Sequence, residues 1–210
     1  MKTDELVRLL AADERRTTPL RFSLLRAVAG SGAVACLAFV VLVGVRPDLL
    51  SALSNPQVAF KFVFSASVAL AAAAYGLRAS RPEDSTSALT FLFPVLCLLG
   101  IGVMIEMYMT PSAAWLSAAI GTAPFRCLGM IVAVSILPVV ALLEAMRLGA
   151  PPRPTLAGAA AGLCGGAIGA AVFALYCPND SVLFVAGWYV LALTISCALG
   201  AMIGARRLAW

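Results

Sequence analysis

The chain has 210 residues, 62% of them hydrophobic and 12% charged, with a formal net charge of +5. A soluble domain carries roughly 25% charged residues, so there is too little polar surface here for water to be the solvent, and lipid must take its place. The chain has no histidine, hence neither the commonest metal ligand nor the usual general base at neutral pH; no enzymatic activity and no cofactor are expected.

Residues 1–22 mix both signs of charge and hold no apolar stretch of signal-peptide length, so the N-terminus is expected to be retained. Thr3 can cap a short helix with Asp4 and Glu5 in its first turn. Leu6, Leu9 and Leu10 then form an i, i+3, i+4 apolar stripe, and Asp4, Glu5, Arg8, Asp13, Glu14, Arg15 and Arg16 cover the other faces. Such a helix could lie on the inner leaflet, but its acidic residues oppose an anionic lipid surface. The alternative is a helix that docks into the groove of a cytoplasmic protein.

Six apolar runs follow, each near the roughly 20 residues that cross a bilayer: about 26–46, 57–78, 87–109, 126–147, 155–177 and 182–205. The separators carry turn chemistry, as in Arg46-Pro47-Asp48, Arg81-Pro82-Glu83-Asp84, Gly149-Ala150-Pro151-Pro152 and Pro178-Asn179-Asp180. Pro94 and Pro138 fall inside spans three and four, where kinks are expected. The predicted fold class is an all-α membrane protein: a six-transmembrane-helix bundle over 24–210 behind a short amphipathic segment, 1–23.

Basic residues set the orientation. Lys2, Arg8, Arg15, Arg16, Arg21, Arg26, Arg78, Arg81, Arg147, Arg153, Arg206 and Arg207 fall on one side, and only Arg46, Lys61 and Arg126 on the other. The positive-inside rule makes both termini cytoplasmic, in a bacterial inner membrane with the opposite side periplasmic. Scattered at span ends, these residues do not form the stripe of a nucleic-acid surface.

Span five is dominated by glycine and alanine, with Gly158, Gly162, Gly165, Gly166 and Gly169; span six adds Gly200 and Gly204. Small residues four apart let helices approach closely in lipid. The first reading is packing within the chain, the second a homodimer, the third a substrate pathway. Lys61, Glu106 and Arg126 lie near the outer ends of spans and Glu144 near an inner end, where long side chains snorkel; a Lys61–Glu106 pair is conceivable. The absence of charge at mid-span counts against a small transporter or channel.

Cys36, Cys97, Cys164 and Cys197 lie deep in their spans and read as small apolar side chains. Cys127 opens span four and Cys177 closes span five, both at the outer face. Antiparallel neighbours would bring these two sulfurs together, as a disulfide, as a soft two-thiolate metal site or as incidental thiols. Arg126 and a helix N-terminus favour thiolate at Cys127, making it the first attacker and Cys177 the resolving partner. A membrane thiol oxidoreductase would need a second thiol pair at the same surface, and Cys36 and Cys97 are too deep.

The opening Met1-Lys2-Thr3-Asp4-Glu5-Leu6, the Phe125-Arg126-Cys127-Leu128 segment, Leu148-Gly149-Ala150-Pro151, the Gly/Ala run 157–171, Tyr176-Cys177-Pro178-Asn179-Asp180 and Phe184-Val185-Ala186-Gly187-Trp188-Tyr189 together resemble the NrsF-type family. Its members are negative regulators of extracytoplasmic-function sigma factors. The resemblance covers nearly the whole chain. It implies a six-span anti-sigma factor whose cytoplasmic segment binds a sigma factor, here through Asp4, Glu5, Leu6, Arg8, Leu9 and Leu10. It also implies release on heavy-metal or oxidant stress sensed at a cysteine pair matching Cys127 and Cys177. Asn179 departs from the pattern, which has an acidic residue there; that would weaken a metal site using a carboxylate and leave the thiols untouched.

Overall fold

The computed structural model describes residues 20–52, 54–80, 87–149 and 151–209. The expected N-terminal helix with Asp4, Glu5, Leu6, Arg8, Leu9 and Leu10 lies outside the described residues. Among those described there is no strand. Six helices are long and apolar enough to cross a membrane: α1 Leu20–Leu42, α2 Pro56–Ala79, α3 Ala88–Met109, α4 Pro124–Arg147, α5 Pro154–Ala174 and α6 Val182–Arg207.

Their ends follow local chemistry. Pro56, Pro124 and Pro154 open α2, α4 and α5, where the missing N–H would be unpaired in any case. Asn55, Ser87 and Ser181 cap α2, α3 and α6 by accepting first-turn N–H bonds. Pro94 and Pro138 are carried inside α3 and α4.

Two boundaries differ from the sequence reading. α1 begins at Leu20, because its arginines extend the helix beyond the apolar run, and the chain leaves it at Gly44 with φ 91°. α5 ends at Ala174, so Cys177 stands in the loop ahead of α6 rather than in a span.

α5 is the hub, packed against α6, α4 and α2; α1 lies on α4, and α3 rests mainly on α2 and the start of α6. Most of α5 is buried, whereas α3 buries only Val95 and Glu106. Glycine makes the hub. Gly158 and Gly162 meet Gly200 and Gly204 of α6 so closely that a Cβ on Gly158 would stand 2.7 Å from Gly204 Cα. Gly165 and Gly169, on another face, admit Val139, Ile131 and Ser135 of α4. The packing reading of these motifs therefore holds. The glycine faces are covered within the chain, so a homodimer would have to use another surface.

An even number of spans returns Arg207 to the end where α1 begins; there Leu20 packs on Gly149, and the carbonyl of Pro154 approaches Gly204. Arg78, Arg147, Arg206 and Arg207 sit in last turns at this basic end. The opposite end carries Arg46, Lys61, Glu106, Arg126, Cys127, Cys177 and Asp180.

Gly162→Leu drives a side chain into the Ser196 carbonyl and Gly200, whereas Gly30 has nothing within 4 Å of its Cβ position. Thermal melting of the purified protein should show Gly162→Leu losing about 1–3 kcal/mol or more and Gly30→Ala neutral or up to about 1 kcal/mol more stable.

Candidate functional site

The thiol end is built on a lysine taken out of both water and lipid. Lys61, in the second turn of α2, is fully buried. Its Nζ donates to Asp180 Oδ1 at 2.7 Å and to the Cys177 carbonyl at 3.2 Å. An ammonium in hydrocarbon is tolerable only when paired and fully hydrogen-bonded, and the loop after α5 supplies both needs. Arg46, in the loop after α1, completes the network. Its guanidinium donates to Asp180 at 3.0 and 3.3 Å and to the Cys177 carbonyl at 3.4 Å, and forks onto Asp48 at 2.8 and 2.7 Å. That fork holds the exposed Asp48 carboxyl well below its ordinary range, at about 2.

Two further clamps fix the same loop. Glu106, at the end of α3, accepts from Ser181 Oγ at 2.6 Å and from the backbone N–H groups of Val182 and Leu183, so its carboxylate sits on the N-terminus of α6. The conceivable Lys61–Glu106 pair is thus replaced by two separate partnerships, because the 177–182 loop offers a carboxylate to the lysine and bare N–H groups to the glutamate.

Asn179 accepts from Thr122 N and Oγ1, each at 2.9 Å, and its Nδ2 donates to the Thr122 carbonyl at 2.8 Å. Only an amide can both accept and donate here, which is a physical reason for asparagine where an acid was expected. The clamp holds a strained turn, with Gly121 at φ 59° and Ala123 at φ 50°. A left-handed alanine costs roughly 1–2 kcal/mol.

Within this frame Cys127 of α4 and Cys177 come together, both buried, at the floor of a cleft of about 380 Å³. Arg46, Asp48, Thr122, Arg126 and Tyr176 line its walls. All six cysteines are free thiols. The two thiols face one another within the cleft, and the Cys177 thiol points to the Asn179 carbonyl at 3.8 Å.

The surroundings of the two thiols differ from those the sequence suggested. Arg126 turns away onto the Tyr176 hydroxyl and ring, so it does not serve Cys127. The Cys177 thiol is drawn below the usual thiol range, first by the neighbouring Cys127 thiol and then by the Lys61 ammonium, against the opposing effect of burial. Cys97 is exposed on its helix and Cys164 is buried between helices. Among the described residues no group of three or more His, Cys, Asp or Glu could hold a metal ion. A soft ion at this site would have two thiolates as its protein ligands, since Asp180 is engaged by Lys61 and Arg46.

Sequence reasoning found the thiol pair and placed Lys61 and Arg46 at the same end, but missed that Asp180 pairs with both. A lysine one turn inside an apolar run, and an aspartate three residues after Cys177, were the available signals. Asp180→Asn would leave Lys61 buried without a carboxylate. Loss of one partner of a buried pair costs about 3–5 kcal/mol. Melting curves should show that loss for Asp180→Asn, and a smaller one for Lys61→Met, which also removes the charge that needs the partner.

Comparison with known proteins places this arrangement in context. The family described as NrsF, "Negative regulator of sigma F", matches residues 10–210. The chain is 33% identical over 216 residues, covering all of both chains, to a probable anti-sigma-F factor NrsF of Azospira oryzae. It is 34% identical over 220 residues, again covering both chains entirely, to the anti-sigma-F factor NrsF of Caulobacter vibrioides. No solved structure matches it.

Proposed function

This chain belongs to the NrsF family, the negative regulators of sigma F, and on that premise we propose that it is a membrane-bound anti-sigma factor that releases its sigma factor when the Cys127–Cys177 pair reacts. The observation that carries this reading is the convergence of two thiols, from α4 and from the loop after α5, in one cleft over the buried Lys61–Asp180 pair. The basic end faces the cytoplasm of a bacterial inner membrane by the positive-inside rule, which sets the thiols in the oxidising periplasm, where such pairs persist as sensors.

The sigma factor is of the extracytoplasmic-function type and binds the N-terminal segment through Leu6, Leu9 and Leu10, with Asp4, Glu5 and Arg8 setting register. The stimulus is an oxidant or a heavy metal. With a hydroperoxide, two thiols and one peroxide give a disulfide, an alcohol and water. A soft divalent ion instead displaces two thiol protons as it is ligated. Either event ties α4 to the loop that feeds α6. A tenfold release of the sigma factor needs about 1.4 kcal/mol of coupling between the two ends, modest beside a disulfide or two metal–thiolate bonds.

Two measurements test the scheme. In cells, Cys127→Ser with Cys177→Ser should lock or abolish sigma-dependent transcription under cadmium or peroxide; an unaltered response removes the thiols from sensing. Deleting residues 1–14 should free the sigma factor, so that it no longer co-purifies with the membrane protein. Persistent co-purification would move the binding to the other loops of that end.

A further inference from the structure

The basic end holds a depression of its own, remote from the thiols. α4 and α6 both run toward this end, and a groove of about 440 Å³ opens between their last turns, within the size range of ligand pockets. On α6, Leu199, Met202, Ile203 and Arg206 stand at i, i+3, i+4 and i+7, which is a single helix face. Val140 and Glu144 belong to the α4 wall. The apolar residues of the groove are not covered by the chain: Val140, Leu199, Met202 and Ile203 are all exposed.

The charge on its rim is unbalanced. Glu144 is the acid there, and Arg147 of its own helix takes it at 3.0 Å. Arg206 and Arg207 are exposed, and neither has an ion pair or hydrogen bond among the described residues. Their backbone is nonetheless fixed. Gly204, just before them, lies against the Gly158 backbone of α5, and Leu208, just after them, is buried in the core. Two guanidiniums without an acceptor thus stand over an apolar trough where the helices leave the lipid. The positive-inside rule accounts for arginines at this end, but not for a trough beneath them.

We propose that this groove is a binding site for an anionic phospholipid, with its phosphate on Arg206 and Arg207 and an acyl chain along Leu199, Met202 and Ile203. Guanidinium and phosphate match as bidentate partners, and basic pockets between spans suit anionic headgroups. Other occupants fit less well. A second copy of the chain would set like charge against like charge across a symmetric contact. The segment 1–19 carries Lys2, Arg8, Arg15 and Arg16 against Asp4, Glu5, Asp13 and Glu14, so its side chains bring no net negative charge. A zwitterionic lipid has the acyl chains but no net charge to match the arginines. With the basic end cytoplasmic, as proposed above, the lipid belongs to the inner leaflet; the chemistry of the site depends neither on that orientation nor on the thiols.

The test is native mass spectrometry of the full chain in detergent, after incubation with phosphatidylglycerol or with phosphatidylcholine of the same acyl chains. The wild type should retain phosphatidylglycerol in preference. Arg206→Gln with Arg207→Gln should lower that preference about tenfold or more and leave the melting temperature unchanged, because both side chains are exposed. Arg153→Gln, which removes a cation of the same end that does not line the groove, should leave the preference as it was. Met202→Trp fills the trough, keeps both arginines and should also weaken binding; it carries the test alone should the double variant misfold.

Equal retention of the two lipids overturns the proposal. So does a loss in Arg153→Gln matching that of the double variant, which would mean diffuse attraction, or binding indifferent to Met202→Trp. Dimers that dissociate in the double variant would give the groove to a second copy, and tighter lipid binding after removal of residues 1–14 would give it to the N-terminal segment; either result overturns the proposal too. The stress response of the cysteine variants is untouched by all these outcomes, so this site and the sensing scheme fail separately.

Discussion

An ammonium buried at the edge of a hydrocarbon slab organises everything at the thiol end. Lys61 has no exposed surface and so must be neutralised from within the chain. Asp180 does this, and the Cys177 carbonyl completes the shell. Those two contacts draw the loop between α5 and α6 down onto α2. Arg46 then pins the same loop from the α1 side, Glu106 from α3 and Asn179 from the turn before α4. The two thiols meet because this loop has no freedom to be elsewhere. In lipid, where an unpaired polar group has no water to turn to, such closure is a requirement of folding as well as a feature of the site.

The rest of the bundle is held by contact rather than charge. α5 is nearly all glycine and alanine where it meets α6 and α4, and backbone touches backbone along much of its length. A hydrophobic driving force between helices is absent in lipid, so close van der Waals packing takes over. Ser135 and Ser196 add one hydrogen-bond contact of 3.3 Å between α4 and α6 beside that seam.

Much of this was legible in the chain itself. Six apolar runs of span length, separated by proline and charge, are a local property, and they reappear as six helices within a few residues of the expected bounds. The glycine motifs were legible too, because close approach in lipid depends on side-chain size and spacing along one helix. The partnership of Cys127 with Cys177 followed from reading two antiparallel neighbours with thiols at the same end.

What composition and spacing alone determined is membrane residence, six crossings and two thiols at one end, since each depends on hydrophobicity or charge counted along the chain. Only the tertiary structure decided which polar groups pair. Lys61 belongs to Asp180 and not to Glu106, Arg126 belongs to Tyr176 and not to Cys127, and Asn179 is a clamp on Thr122 rather than a weakened ligand. Pairing depends on angles and distances of a few ångströms between segments more than a hundred residues apart in the chain, as with Lys61 and Asp180, and no periodicity along one helix encodes them.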